Sequence, residues 1–182
     1  MIHVPPQEAP SSLKKIYSNL GTKTDPFNGY NYWYVSGPDS EIGYAESVAL
    51  PFTPKSDSHV SQVQVPIAYL AGANQVNLNI YGDSSGVPGT LLAGPVTVTD
   101  LPDFGNDCCT LIVANFTPLA VTAGTQYWVV ADTPLSGTGS DSNVSWFTVV
   151  KPIIAMSFSI DGAWYSNNAD GRPAGEVLGT IP

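Results

Sequence analysis

The amino-acid sequence predicts an all-β protein, an antiparallel two-sheet β-sandwich or jelly roll. Three observations carry that prediction. Apolar residues recur with period two, most clearly in Gln75-Val-Asn-Leu-Asn-Ile-Tyr81, where Val76, Leu78 and Ile80 share one face and Asn77, Asn79 and Tyr81 the other. The chain is punctuated by 17 Gly and 16 Pro in 182 residues, which places turns between short apolar runs. Ser, Thr and Asn fill most polar positions, charged residues make up only 12%, and no segment reads as a helix.

In chain order, residues 1–12 form an irregular arm, because Pro5, Pro6 and Pro10 block regular structure. Residues 13–182 form a single β-sandwich domain. The first strand opens in Lys14 to Leu20, and Tyr30 to Val35 is a dense aromatic strand. Glu46 to Phe52 follows. His59 to Leu70 is a long strand with Val63, Val65, Ile67 and Tyr69 on one face, and Pro66 demands an edge or a bulge because it cannot donate to a ladder. Gln75 to Tyr81 is expected to have one core face and one wet face. Gly82 to Gly89, with three glycines and a proline in eight residues, is expected to be a loop. Short strands at Leu91 to Ala93 and Val96 to Thr99 come next, then Cys109 to Phe116, Thr125 to Ala131, Val144 to Val150, Ile153 to Ile160, a turn at Asp161-Gly162, and Glu176 to Ile181. The total is about nine to eleven strands.

Charge and hydropathy exclude several classes of function. The net charge is −9, from 15 acids against 6 scattered bases: Lys14, Lys15, Lys23, Lys55, Lys151 and Arg172. Phosphate backbones need a clustered basic face, so no nucleic-acid partner is expected. No apolar stretch approaches the ~20 residues of a membrane helix, so no membrane insertion is expected. The start Met1-Ile-His-Val-Pro-Pro6 lacks the layout of a signal peptide, and an exported form is expected to have lost one.

The segments Tyr17-Ser-Asn-Leu-Gly21, Ala49-Leu-Pro-Phe-Thr-Pro54, Gly86-Val-Pro-Gly-Thr90, Leu101-Pro-Asp-Phe-Gly105, Cys108-Cys109-Thr110, Ala123-Gly-Thr-Gln-Tyr-Trp128 and Val177-Leu-Gly-Thr180 run in order along the chain. Together they resemble the bacterial "choice-of-anchor R" domain. That resemblance implies an exported, surface-anchored protein with one β-sandwich-type domain, hence an extracellular or cell-surface location. The sorting tail typical of such proteins does not follow Pro182. The resemblance carries no catalytic residues with it.

Cys108 and Cys109 are adjacent, so a bond between them closes almost no loop and restricts the unfolded chain little. A vicinal disulfide stiffening a turn, two free thiols and half of an intermolecular bridge all remain open, and export favours the first. No Cys-x-x-Cys, no Gly-x-Ser-x-Gly elbow and no metal-ligand spacing occurs, so no enzyme and no cofactor are expected. Among eleven Asp and four Glu, most lie beside Gly, Pro, Ser or Asn, where Asp bonds its own turn. Glu46 stands out as strand-borne, and a solvated face is its expected place. If an ion binds, calcium fits best, at Asp83 with Ser84-Ser85 or along Asp100, Asp103 and Asp107.

The aromatic residues offer the sharper binding hypothesis. Tyr30, Tyr32 and Tyr34 share one strand face with Trp33 on the other, and Trp164 and Tyr165 stand next to Ser166-Asn-Asn168. Tyr32, Trp33, Trp164 and Tyr165 are therefore the candidate binding residues. Exposed rings with Asn and Asp nearby would stack sugar faces and bond hydroxyls, making a carbohydrate-binding module with a polysaccharide partner the alternative reading. The first reading is a non-catalytic, exported structural or interaction domain whose partners are itself or other surface proteins, joined through exposed sheet edges.

Overall fold

The computed structural model describes residues 12–105, 110–150, 156–167 and 171–182. The arm up to residue 11, Cys108, Cys109, Asp107 and the beginning of the Ile153 to Ile160 run lie outside the described residues. Thirteen strands and no helix are present among the described residues: β1 Lys14–Ser18, β2 Asn28–Ser36, β3 Glu46–Phe52, β4 Ser58–Val65, β5 Ile67–Ala71, β6 Gln75–Ser84, β7 Val87–Thr99, β8 Ile112–Val121, β9 Tyr127–Asp132, β10 Asn143–Thr148, β11 Met156–Ile160, β12 Ala163–Asn167 and β13 Glu176–Thr180. They pair antiparallel in two sheets, a four-stranded one in the order β1-β13-β4-β8 and a nine-stranded one in the order β5-β10-β2-β3-β9-β6-β7, with β11 joined to β3 and β12 to β11. The fold is the two-sheet β-sandwich that the alternation predicts.

The core lies between the sheets. Ile16, Val60, Val63, Val65, Ala114 and Val177 from the small sheet pack against Val48, Leu50, Val76, Leu78, Ile80, Val129 and Trp146 from the large one. Each comes from the inward position of a period-two pattern, which is why alternation in the sequence becomes a shared apolar layer. Pro66 sits neither on an edge nor at a bulge. It falls between β4 and β5, where the chain leaves the small sheet, with Val65 opposite Ile112, and enters the large one, with Ile67 opposite Trp146. A residue that cannot donate ends one ladder there, and its carbonyl accepts from Phe147 N at 3.0 Å.

Three expectations need correction. Gly82 to Gly89 is not a loop: β6 runs to Ser84 and β7 starts at Val87, with only Ser85 (φ 56°) and Gly86 (φ 86°) between them. Two consecutive positive φ values make the tight mirror-image turn that matches strand twist. Pro88 is tolerated because β7 is an edge strand, and the two short runs at Leu91 to Thr99 belong to this one strand. Ala163–Asn167 is an additional strand, paired to β11 across Asp161-Gly162, so the count exceeds the expected range. Finally, the second face of β6 is not wet, since Asn77 and Asn79 are 9% and 2% exposed.

Where β13 meets β4, Gly179 pairs with Val60 beside a register shift. A Cβ there would fall far inside van der Waals contact distance of the His59 carbonyl oxygen, a backbone atom that cannot turn aside. Gly179→Ala is expected to cost about 1–3 kcal/mol of unfolding free energy, measurable by urea denaturation.

Candidate functional site

The second face of β6 is covered because the large sheet curls. β12 and β7 stand at opposite ends of the run β12-β11-β3-β9-β6-β7, yet they touch. The tip of the β6–β7 hairpin also folds in, with Ser157 Oγ 3.5 Å from the Gly86 carbonyl oxygen. The outer face of these strands thereby becomes a trough. Ala49, Trp128 and Val130 form its packed floor, with Tyr81 and Trp164 against them. These are the outward positions of β3, β9, β6 and β12, the complement of the core set.

One end of the trough opens as a groove of about 380 Å³, lined by Ser47, Tyr81, Asp132, Thr133, Ser159, Trp164 and others. Asp132 is held by two carboxamides: Asn77 Nδ2 donates to Oδ1 at 3.2 Å and Asn79 Nδ2 to Oδ2 at 2.9 Å. Thr97 Oγ1 in turn donates to Asn77 Oδ1 at 2.8 Å, which fixes the amide orientation. Burial raises the Asp132 carboxyl to about 6 against these two lowering bonds, and burial followed by the Asp132 charge raises the Tyr81 phenol. Thr133 is 6% exposed, and its hydroxyl has no hydrogen-bond partner among the described residues. A buried hydroxyl without a partner loses the free energy of a hydrogen bond. At the other end a larger cleft of about 740 Å³ lies between β1 and the trough, with Trp128 and Ser166 on the trough side.

The four aromatic candidates do not form one platform. Tyr32 packs edge-on against Tyr34 and Phe104, with centroids 5.4 and 5.1 Å away, on the outer face. Its hydrogen bond to Tyr34, then burial, raise its phenol. Trp33 points the other way, donates from Nε1 to Gly171 O at 2.8 Å, and stacks on Phe158 at 5.9 Å. Of that strand's two faces the tyrosine face is the more open, and Tyr30 is 98% exposed. Trp164 alone reaches the groove. Tyr165, adjacent in β12 and so on the opposite face, is half exposed and stacks on Phe158 at 5.5 Å.

The carboxylate candidates separate as well. Asp83 accepts at Oδ1 from Trp128 Nε1 and Gln126 Nε2, both at 2.8 Å, and at Oδ2 from Gly86 N at 3.2 Å. Burial acts to raise its carboxyl, but these three donors together hold it below the usual range. N–H groups thus surround Asp83 on the sides where a cation would need oxygen ligands. Asp103 is exposed in the loop where Tyr69 N bonds Pro102 O, and it lines a small apolar pocket beside Tyr30 and Phe104. No group of three or more His, Cys, Asp or Glu side chains is placed to hold a metal among the described residues. Glu46 is not on a solvated face. It shares the inward parity of Val48 and Leu50, is 8% exposed, and burial raises it to about 7.

Sequence reasoning missed Asn77, Asn79, Tyr81, Trp128 and Asp132 as site residues. No protein-family model, curated protein or solved structure matches the chain.

Proposed function

We propose that this chain is a non-catalytic, exported bacterial domain that works by interaction at or outside the cell surface, with the trough of the large sheet as its contact surface. The domain engages other surface proteins or further copies of itself, in keeping with the resemblance to the "choice-of-anchor R" domain. The separation of its two perturbed carboxyls supports a non-catalytic role: Glu46 shares the inward parity of Val48, whereas Asp132, next to the Ala131 that pairs with Val48, has the outward parity and lines the groove. A single bond cannot lie within reach of both.

A second reading, a carbohydrate-binding module, is favoured by one observation: the groove sets Trp164 and Tyr81 beside Asp132. Rings that accept a sugar face next to fixed hydroxyl acceptors are the composition such a ligand requires. Light scattering on the eluting protein, followed by retention on insoluble polysaccharides, separates the two. Ordered assembly without glycan retention supports the first reading. Retention of a monomer, weakened roughly ten-fold or more by Trp164→Ala, supports the second. Release of reducing sugar from any retained glycan would overturn the non-catalytic assignment itself.

A further inference from the structure

Half of the chain's six bases line a single cleft. Lys15 enters from β1, Lys55 from the segment after β3, and Arg172 from the loop before β13, around the space of about 740 Å³ at the β1 side of the trough. In a chain with 15 acids and a net charge of −9, no Asp or Glu is among the described residues lining that cleft. The arrangement is built from distant segments. Arg172 Nη1 approaches Tyr17 Oη at 3.4 Å, and Lys15 is steadied by Glu176 at 2.8 Å outside the lining set. Lys55 is exposed and makes no ion pair or hydrogen bond among the described residues. Neutral hydrogen-bonding groups complete the wall, with Gln126 and Ser166 facing the same space.

We propose that this cleft binds an acidic saccharide, with the three cations on its carboxylate or sulfate groups and Gln126 and Ser166 on its hydroxyls. Glu176, 2.8 Å from Lys15, and Asp83, 2.8 Å from Gln126, stand directly behind the wall, so three lining cations against these two acids leave the cleft positive, and at physiological salt the acids farther away are screened beyond about 8 Å. The local sign therefore governs what enters. The mixed lining distinguishes this ligand from a bare anion, which would leave the neutral donors unused, and from a neutral glycan, which would leave the ammonium groups unused. This inference rests on the reading of the chain as a binding domain and assigns a ligand class to a part of the trough that the Trp164 groove does not include.

The test is calorimetric titration of the whole chain with an oligogalacturonate, at low and at physiological salt, beside a neutral oligosaccharide of equal length, inorganic sulfate and a short single-stranded oligonucleotide. Saturable binding of the oligogalacturonate, weakened by salt, is expected. Lys55→Glu should weaken it at least ten-fold, whereas Lys23→Glu, the same charge change outside the cleft, should alter it less than two-fold. Equal effects of the two substitutions, equal affinity for the neutral oligosaccharide or for sulfate alone, or preference for the oligonucleotide would each overturn the proposal. Absence of this binding in a chain that still assembles by light scattering would overturn it while leaving the proposed function standing.

Discussion

Trp146→Ala is expected to lower the thermal midpoint by about 10–15 °C, through a loss of ~3–5 kcal/mol of unfolding free energy. Trp146 is fully buried in β10, between Trp33 on β2 and Ile67 on β5, and its indole faces the inter-sheet core. Removing it leaves a cavity the size of an indole in a close-packed interior, and it also releases a hydrogen bond. Nε1 donates to Ala174 O at 2.8 Å, while Ala174 N donates back to Phe147 O at 2.9 Å. Trp33 bonds Gly171 of the same segment. Two indoles thus stitch residues 171–175 to the large sheet, while Asn19, just after β1 of the small sheet, bonds both Pro173 O and Gly175 N. Trp146→Phe retains most of the ring and loses only the N–H. It should cost less, about 1–3 kcal/mol, chiefly for the orphaned Ala174 carbonyl. A midpoint unchanged in both variants would show that the segment holds without its indole anchors. Because Arg172 lies within that segment, Trp146→Ala should also loosen the cationic cleft at temperatures where the domain remains folded.

The architecture was legible where one period sufficed. Val76, Leu78 and Ile80 lie in the core as their alternation demands, and Pro66 marks a real discontinuity, although its form, a change of sheet, depends on which strands flank it. The dense glycines of Gly82 to Gly89 misled because turn-forming residues are also tolerated on an edge strand, and a sequence does not state which strand is the edge. Asn77 and Asn79 misled for a related reason. Alternation says which residues share a face and not what meets that face, and here Asn77 and Asn79 are taken up by Asp132 from β9 and Asn77 also by Thr97 from β7. The convergence of Lys15, Lys55 and Arg172 was hidden in the same way, since they are separated by most of the domain and meet only after the sheets assemble. The period-two rule that already set Tyr32 and Trp33 on opposite faces applies equally to Trp164 and Tyr165, neighbours in β12, and only Trp164 of these two lines the groove.

The buried carboxyls should make the domain most stable at mildly acidic pH. Glu46 is raised from 4.5 to about 7 and Asp132 from 3.8 to about 6, both chiefly by burial. A carboxyl with a raised folded-state value binds more protons folded than unfolded across that interval, so stability falls as pH rises through it. Asp83 acts in the opposite sense, because its lowered value stabilises the fold above the unfolded value of 3.8 and that contribution is lost on further acidification. The two windows meet at the unfolded carboxyl value of 3.8, placing the stability maximum on these groups alone at about pH 4 or just below. Glu46→Gln removes the larger penalty without changing shape, and should raise stability by about 1–3 kcal/mol at pH 8 while leaving pH 4 within about 0.5 kcal/mol of the parent. Asp132→Asn should gain less, because Asn77 and Asn79 already point amide donors at that position, and a third amide can accept from them through only one oxygen. Chemical denaturation across pH 4 to 8 is the measurement. A parent stability that climbs steadily to pH 8, or a Glu46→Gln curve parallel to it, would show that Glu46 ionises without cost, contrary to its burial between the sheets.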